Sequence, residues 1–318
     1  MNVLLAGVDS KQKVKWVETA LPARPPKIHL LTSIVQHNKT KSSGANSLRN
    51  CLEAMHAALD PCDVLLDSGA HSFHQRFRRG ERIKIDEARR FRDRYVETVL
   101  TCPLKPNYMV ELDLQMEFGI DVIDRWRDEV WQAVAQETGI EILYVWSPLD
   151  GWAGYQSLIK RKGLKYIGLA AGAEIMRSGT PAAQALIRGV AVDAYQRQIK
   201  THLFKATSIA LMQALPVYSV DSISWKSAAL WGLSLFSPAE GKMSFTRIGQ
   251  HQAKDPLDID KLLHQGLSRE WFDFDNAQSD SGSKRAVTGK VFLANLKVLW
   301  QVERNMTDLW RTRGVVWQ

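Results

Sequence analysis

The chain has 318 residues, of which 45% are hydrophobic, and a formal net charge of +8. This length allows one large domain or two small ones with a full hydrophobic core. No apolar stretch approaches the ~20 residues of a membrane-spanning helix, so no membrane protein is expected. The basic balance suits a nucleic-acid partner, although charge alone is a weak argument for one.

The N-terminal segment and the cysteines favour a cytoplasmic protein. MNVLLAGVDS has no basic stretch and meets Asp9 early, which predicts a strand rather than a signal peptide. The three cysteines, Cys51, Cys62 and Cys102, show no CxxC spacing. They predict reduced thiols, without a disulfide framework or a zinc site.

Short apolar runs recur along the whole chain. Most of them are continuous rather than alternating, which predicts strands buried on both faces of a parallel sheet. The runs are 2–8, 27–35, 63–69, 108–114, 141–146, 166–172, 201–206 and 217–225.

Helical patterns lie between many of these runs. Asn46 is a candidate cap for a helix through 48–59, and the pattern at 120–138 ends at Gly139, a C-cap signal. Pro181 is suited to the first turn of a helix. Near the C-terminus, 292–310 carries an apolar stripe that indicates a core-facing helix.

Repeated strand–helix units predict an α/β fold, a (β/α)₈ TIM barrel in a single domain over 1–318. One of the first two runs is alternatively an extra strand that covers the barrel bottom, with the last barrel strand then near 244–249. The absence of GxGxxG after the first strand disfavours a dinucleotide-binding fold. We further expect basic loop insertions, a mobile loop at 270–290 and a C-terminal helix at 291–313.

Acidic residues stand where several predicted strands end. Asp67, Asp113 and Asp221 are in such positions, where barrel enzymes carry their active sites. A strand-end aspartate also commonly caps the next helix, so capping stays an alternative for each. Without a histidine cluster, no metal site and no cofactor is expected.

A basic segment follows the first of these acids. Arginines and lysines outnumber acids over 71–94, and phenylalanines are interleaved with them. Its helical part is typical of a solvated face, whereas the loop RFRRGER favours phosphate contacts. The predicted nucleic-acid-binding residues are Arg76, Arg78, Arg79, Arg82 and Lys226.

Four segments resemble motifs of the tRNA-guanine transglycosylases, in that family's order. DSGAHSF (67–73) is similar to their DSGG[FY]Q, and YMVELDL (108–114) resembles their strand that ends in a base-binding acid. YIGLAAGAE (166–174) is similar to their GGLAVGE. VYSVDSISW (217–225) resembles the segment with their nucleophile, and is closer still to DpdA-type enzymes, which place 7-deazaguanines in the DNA of phages and bacterial modification islands.

The chain also departs from the tRNA enzymes. No cysteine follows Cys102, so their zinc subdomain is not expected here. Trp146 stands near the position of their base-binding glutamine, and His71 and Ser72 replace the usual end of the first motif. These departures favour DNA over tRNA as the substrate.

The resemblance implies a base exchange through a covalent intermediate. Asp221 would be the nucleophile, and Asp67 the acid–base residue that assists the leaving guanine and then deprotonates the incoming base. Asp113 would accept hydrogen bonds from the base. Breaking a C1′–N bond through an oxocarbenium-like centre favours two carboxylates, as in retaining glycosidases.

Further contacts to the base follow from the same resemblance. The N–H groups of Gly168 and Leu169 would meet its O6, and Ser68 would hydrogen-bond the base or sugar. The target base must leave the stack, and Trp146 or Phe73 would stack on it.

The sequence thus predicts a pentosyltransferase that exchanges guanine for a 7-deazaguanine such as preQ0 in DNA. It would act in the cytoplasm of a bacterial or phage-infected cell. The same exchange on tRNA, a catalytically inactive nucleic-acid-binding barrel and a metal-dependent hydrolase stay open as alternatives, as does an accessory protein that opens DNA.

Overall fold

The computed structural model describes residues 1–19, 26–38, 44–170, 179–205, 209–222, 233–236, 244–247 and 281–317. Within them, parallel strands β1 to β8 form a closed barrel in chain order. The strands are β1 (Asn2–Ala6), β2 (Ile28–Ser33), β3 (Cys62–Asp67), β4 (Tyr108–Val110), β5 (Glu141–Trp146), β6 (Tyr166–Leu169), β7 (Lys200–Leu203) and β8 (Ser219–Ser222). The predicted (β/α)₈ fold is confirmed.

Helices connect the strands and surround the barrel. They are α1 (Lys11–Thr19), α2 (Ile34–Asn38), α3 (Gly44–Leu59), α4 (His71–Arg78), α5 (Ile85–Thr101), α6 (Gln115–Phe118), α7 (Ile120–Trp126), α8 (Gln132–Thr138), α9 (Gly151–Ile159), α10 (Pro181–Gln196), α11 (Ile209–Ala214) and α12 (Ser281–Thr312). A π-helical turn, Arg127–Trp131, joins α7 to α8. Among the described helices, none combines the length and apolarity that crossing a membrane requires.

Each predicted apolar run overlaps one barrel strand. β1 pairs with both β2 and β8, so neither of the first two runs is an extra strand below the barrel. The alternative last strand was wrong as well: Ser244–Arg247 forms β10, which pairs antiparallel with β9 (Leu233–Phe236) outside the barrel.

Side chains that point into the barrel form a core separate from the layer beneath the helices. This inner core includes Leu4, Leu31, Leu65, Val110, Leu143, Val145 and Tyr166. Because successive side chains on a strand point to opposite faces, the residues between these pack outward on the helices. The inner core fills the interior of the barrel, so the groups that a ligand can reach lie at its rim.

The long helix α12 packs against the start of the chain. Its Phe292 stacks on Trp16 of α1 with ring centroids 4.3 Å apart, and Glu303 accepts a hydrogen bond from the Val3 N–H at 3.1 Å. The helix begins at Ser281, so the predicted start at 291 was too late. Residues 270–280 of the predicted mobile loop lie outside the described residues.

Gly168 of β6 tests the packing of the inner core. A Cβ at this residue would stand 2.4 Å from Cε2 of Phe204 and 2.9 Å from Cδ2 of Leu143. We expect Gly168→Ala to lower the free energy of unfolding by about 1–3 kcal/mol in urea denaturation, because the added methyl overpacks the barrel.

Gly189→Ala is the matched control. Gly189 lies within α10, and the nearest atom to an added Cβ is Cζ3 of Trp152 at 3.7 Å. Alanine is there expected to stabilise the helix by roughly 0.5–1 kcal/mol. Equal effects of the two substitutions would contradict the proposed packing around Gly168.

Candidate active site

Asp67 ends β3 on the rim of the barrel where the carboxyl ends of the strands meet. A tight turn follows, in which the N–H of Gly69 donates to Oδ2 of Asp67 at 3.1 Å. Gly69 has φ 77°, and a Cβ there would stand 2.2 Å from Cγ2 of Val35. Both conformation and space therefore require glycine, and the turn lets α4 start at His71 above the rim.

Asp221 lies on β8 of the same rim, with a backbone N–H and a buried histidine beside its carboxylate. The backbone N–H of Lys205 donates to Oδ1, and Nε2 of His202 lies 3.5 Å from the same oxygen. His202 is fully buried, and its Nδ1 is 2.7 Å from Oγ of Ser219, which also hydrogen-bonds the Tyr166 hydroxyl. A buried polar chain thus reaches Asp221 from inside the barrel.

Asp113 lies between β4 and α6 and faces the first helix after Asp67. Its Oδ2 lies 3.6 Å from Nε2 of His74, whose Nδ1 is 2.7 Å from Oε1 of Glu117. Burial lowers the pKa of His74, but its hydrogen bonds with Asp113 and Glu117 outweigh burial and raise the pKa to about 9. His74 is therefore a cation at neutral pH, placed between two acids.

The charges of Asp113 and Asp221 both act on the carboxyl group of Asp67. Burial, together with the charges of Asp113 and Asp221, raises the pKa of Asp67 from its ordinary value to about 6, against hydrogen bonds from Ser33 and Gly69. A carboxyl group with a pKa near 6 exchanges its proton near neutral pH, as a general acid or base must. The structure thus brings together all three acids that the sequence singled out.

Lys205 is a site residue that the sequence interpretation missed. Its ammonium group is 2.6 Å from Nδ1 of His71. Burial lowers the pKa of Lys205, while the charges of Asp221, Asp67 and Asp113 oppose that shift. Lys205 follows β7 on the rim, so inspecting strand ends for bases as well as acids would have found it.

Several predicted base-binding side chains do not line the rim. Ser68 is fully buried, and its Oγ accepts from the Ala70 N–H at 3.4 Å. Trp146 is 1% exposed, points outward from β5 and donates its indole N–H to the carbonyl of Gly151. Phe73 is also buried, edge-on to Phe91. The expected stacking of Trp146 or Phe73 on a base is not available in this arrangement.

Gly168 and Leu169 lie inside β6, which pairs with β5 and β7 on its two sides. Leu169 is fully buried beneath the helices, and Phe204 fills the space in front of Gly168. Their backbones belong to the sheet. The expected contact of their N–H groups with a base is therefore not supported by this arrangement.

The arginines of the basic segment differ in their exposure. Arg76 donates to Glu81 at 2.9 Å and to Glu87 at 2.5 Å, so its guanidinium group is already used within the protein. Arg78, Arg79 and Arg82 are exposed. Arg76 and Arg78 lie in α4 rather than in a loop, and Lys226 lies outside the described residues.

The described residues include no group of three His, Cys, Asp or Glu side chains that could hold a metal ion. No protein-family model and no curated protein matches the sequence. Among solved structures, the chain is similar to a tryptophan synthase from M. tuberculosis, an open form with BRD0059 bound. The identity is 11%, the match covers 92% of each chain, and the TM-score is 0.38, too low to support an inference about function.

Asp113→Asn tests whether the acids interact. The substitution removes a negative charge that raises the pKa of Asp67 and one that raises the pKa of His74. We expect the pKa of Asp67 to fall below about 6 and that of His74 below about 9, measured by NMR titration of the carboxyl and imidazole groups. The control is Asp93→Asn, which removes an exposed partner of Arg92. Unchanged values in Asp113→Asn would show that the acids do not interact.

His74→Gln tests the bridge between the two acids. The pKa of His74 is raised from 6.5 to about 9, so its contribution to stability is full below pH 6.5 and is lost as the pH rises through about 9. We expect the variant to lose on the order of 1–3 kcal/mol relative to wild type at pH 6, and much less at pH 10, in urea denaturation. A loss of equal size at both pH values would contradict a charged His74.

Proposed function

We propose that the protein is a transglycosylase that exchanges guanine for a 7-deazaguanine such as preQ0 in DNA. The observation that carries the proposal is the convergence of Asp67, Asp113 and Asp221 on one rim, with Asp67 at a pKa of about 6. Base exchange needs an acid–base group and a nucleophilic carboxylate near the same carbon. The four ordered motifs that resemble the tRNA-guanine transglycosylases supply the same three acids.

The environments of the acids suit different roles. Asp221 accepts the Lys205 N–H and lies 3.5 Å from His202, which fixes the direction of its carboxylate. It would attack C1′ as the C1′–N9 bond of the nucleotide breaks. Protonated Asp67 would give its proton to the leaving guanine and take one from the incoming base. Asp113, next to His74, would accept hydrogen bonds from the base.

Three features support a nucleic-acid strand, and DNA in particular. Arg78, Arg79 and Arg82 are exposed at the end of α4 and just after it, and would contact the phosphates of a strand at the rim. The chain lacks the late cysteines of the tRNA enzymes, and it has Trp146 near the position of their base-binding glutamine. An accessory protein that opens the duplex remains part of the proposal for double-stranded substrate, since the base must leave the stack.

Exchange of labelled guanine tests the proposal. The purified protein is incubated with radiolabelled guanine and, in separate reactions, single-stranded DNA, duplex DNA or tRNA. We expect label to enter DNA, and Asp221→Ala to lower incorporation by about 10³-fold or more because no glycosyl ester can form. Asp67→Asn should cost about 10²–10⁴-fold. Asp93→Asn, on an exposed face of α5, is the control.

The outcomes separate the alternatives. If label enters only tRNA, the substrate of the base exchange is tRNA rather than DNA. DNA binding without incorporation into any strand would favour an inactive barrel. A covalent adduct between protein and DNA on denaturing gels, present without added base and absent in Asp221→Ala, would identify the glycosyl ester directly.

A further inference from the structure

Lys205 connects the two walls of the candidate site. Its backbone N–H donates to Oδ1 of Asp221, and its ammonium group lies 2.6 Å from Nδ1 of His71 on α4. One residue thus contacts the candidate nucleophile through its main chain and the opposite wall through its side chain.

The backbone of Lys205 is in a conformation that lysine adopts rarely. Its φ is 56°, in the left-handed region that favours glycine and asparagine. Either of those residues would offer the same N–H to Asp221 with less strain. The hydrogen bond to Asp221 therefore does not explain lysine at this position, whereas a use for the ammonium group does.

A second cation stands near Lys205 on α4. Arg78 follows His71 by seven residues, which places both on one face of the helix. Burial lowers the pKa of His71, and the charges of Lys205, His74 and Arg78 lower it further. A neutral His71 accepts a hydrogen bond from the ammonium group and orients it.

We propose that Lys205 and Arg78 form a phosphate subsite for the substrate strand. The ligand is the phosphodiester next to the nucleotide that Asp221 attacks, so the inference rests on the proposed function. One sugar ring separates C1′ from a flanking phosphate. The ammonium group of the residue that contacts Asp221 is therefore at a suitable distance to bind that phosphate while Asp221 faces C1′.

The charges around the rim favour this placement of the strand. Asp113, and Asp67 when it is ionised, repel a phosphate from the side of the site where the base would bind. Lys205 and Arg78 attract it to the side of α4, and Arg79 and Arg82 lie further along the same segment. Phosphate contacts of this kind fix the register of a strand without selecting its sequence.

Lys205→Gln tests the subsite because it removes the charge and keeps the backbone N–H. Binding is measured with single-stranded oligonucleotides that contain one guanosine, flanked by normal phosphodiesters or by uncharged methylphosphonates. We expect the substitution to weaken binding about ten-fold, the usual effect of one charge-assisted hydrogen bond. The slope of log affinity against log salt should fall in magnitude by about 0.7, the value for one phosphate contact on a single strand.

Matched variants isolate the charge and its position. Lys205→Arg should retain most of the affinity and the salt slope, because it keeps a cation. Lys162→Gln removes an exposed lysine from the segment before β6, at the opposite end of the barrel, and should change neither. Deoxyguanosine monophosphate is the second ligand, since a free nucleotide offers the same phosphate chemistry.

The decisive measurement is whether the effect of the methylphosphonate on binding depends on Lys205. If Lys205 binds the flanking phosphate, the methylphosphonate weakens binding to wild type about ten-fold more than binding to Lys205→Gln, in which Arg78 alone remains at the phosphate. Equal losses in both proteins, or wild-type affinity of Lys205→Gln, would overturn the subsite. If Lys205→Gln weakens the binding of deoxyguanosine monophosphate as much as that of the oligonucleotide, the subsite binds the phosphate of a free nucleotide. That result would overturn the proposal that the ligand is a strand.

The proposed function fails on different results. Coupling at Lys205 without incorporation of labelled guanine would leave the phosphate subsite standing and reject the base exchange. A wild-type protein that binds no oligonucleotide would reject both proposals. Incorporation of guanine with no effect of Lys205→Gln would reject the subsite alone.

Discussion

The candidate site depends on the closure of the barrel, in which β8 pairs with β1. Leu4 pairs with Asp221 across this junction, and Ser33 pairs with Asp67 between β2 and β3. Because the strands are parallel, their carboxyl ends lie on one rim, and only β1 and β2 separate the two acids around the barrel. Residues far apart in sequence thus share one site, and the inner core below holds them at that spacing.

The three acids on the rim have different partners. These partners make the acids chemically different from one another. Asp113 lies beside cationic His74, and Asp221 accepts the Lys205 N–H near His202. Within the described residues, Asp67 has hydrogen bonds from Gly69 and Ser33 but no ion pair. Burial next to two other carboxylates therefore raises the pKa of Asp67, which favours it for proton transfer.

The strands could be predicted from the sequence because continuous apolar runs are typical of a parallel sheet. In a continuous apolar run, however, no polar residue indicates which side chains point into the barrel. Trp146 ends β5 as Asp67 ends β3, yet Trp146 belongs to the outward set and Asp67 to the inward one. Alternating polar residues would have revealed this difference. The start of α12 was predicted too late because Ser, Gly and Lys near 281 resemble a loop, and packing on α1 and β1 is not visible in local sequence.

The two acids proposed for catalysis each accept a hydrogen bond from a backbone N–H that lies two residues after a strand, and only one of these two turns is visible in the sequence. Two residues after β3, Gly69 turns its N–H back to Asp67 with φ 77°; two residues after β7, Lys205 donates to Asp221 with φ 56°. Glycine announces such a turn, since it adopts this conformation without strain. Lysine does not, so no residue type marks the turn at this position. Where a backbone need would be met at lower cost by glycine, the side chain present is the part that requires a functional explanation.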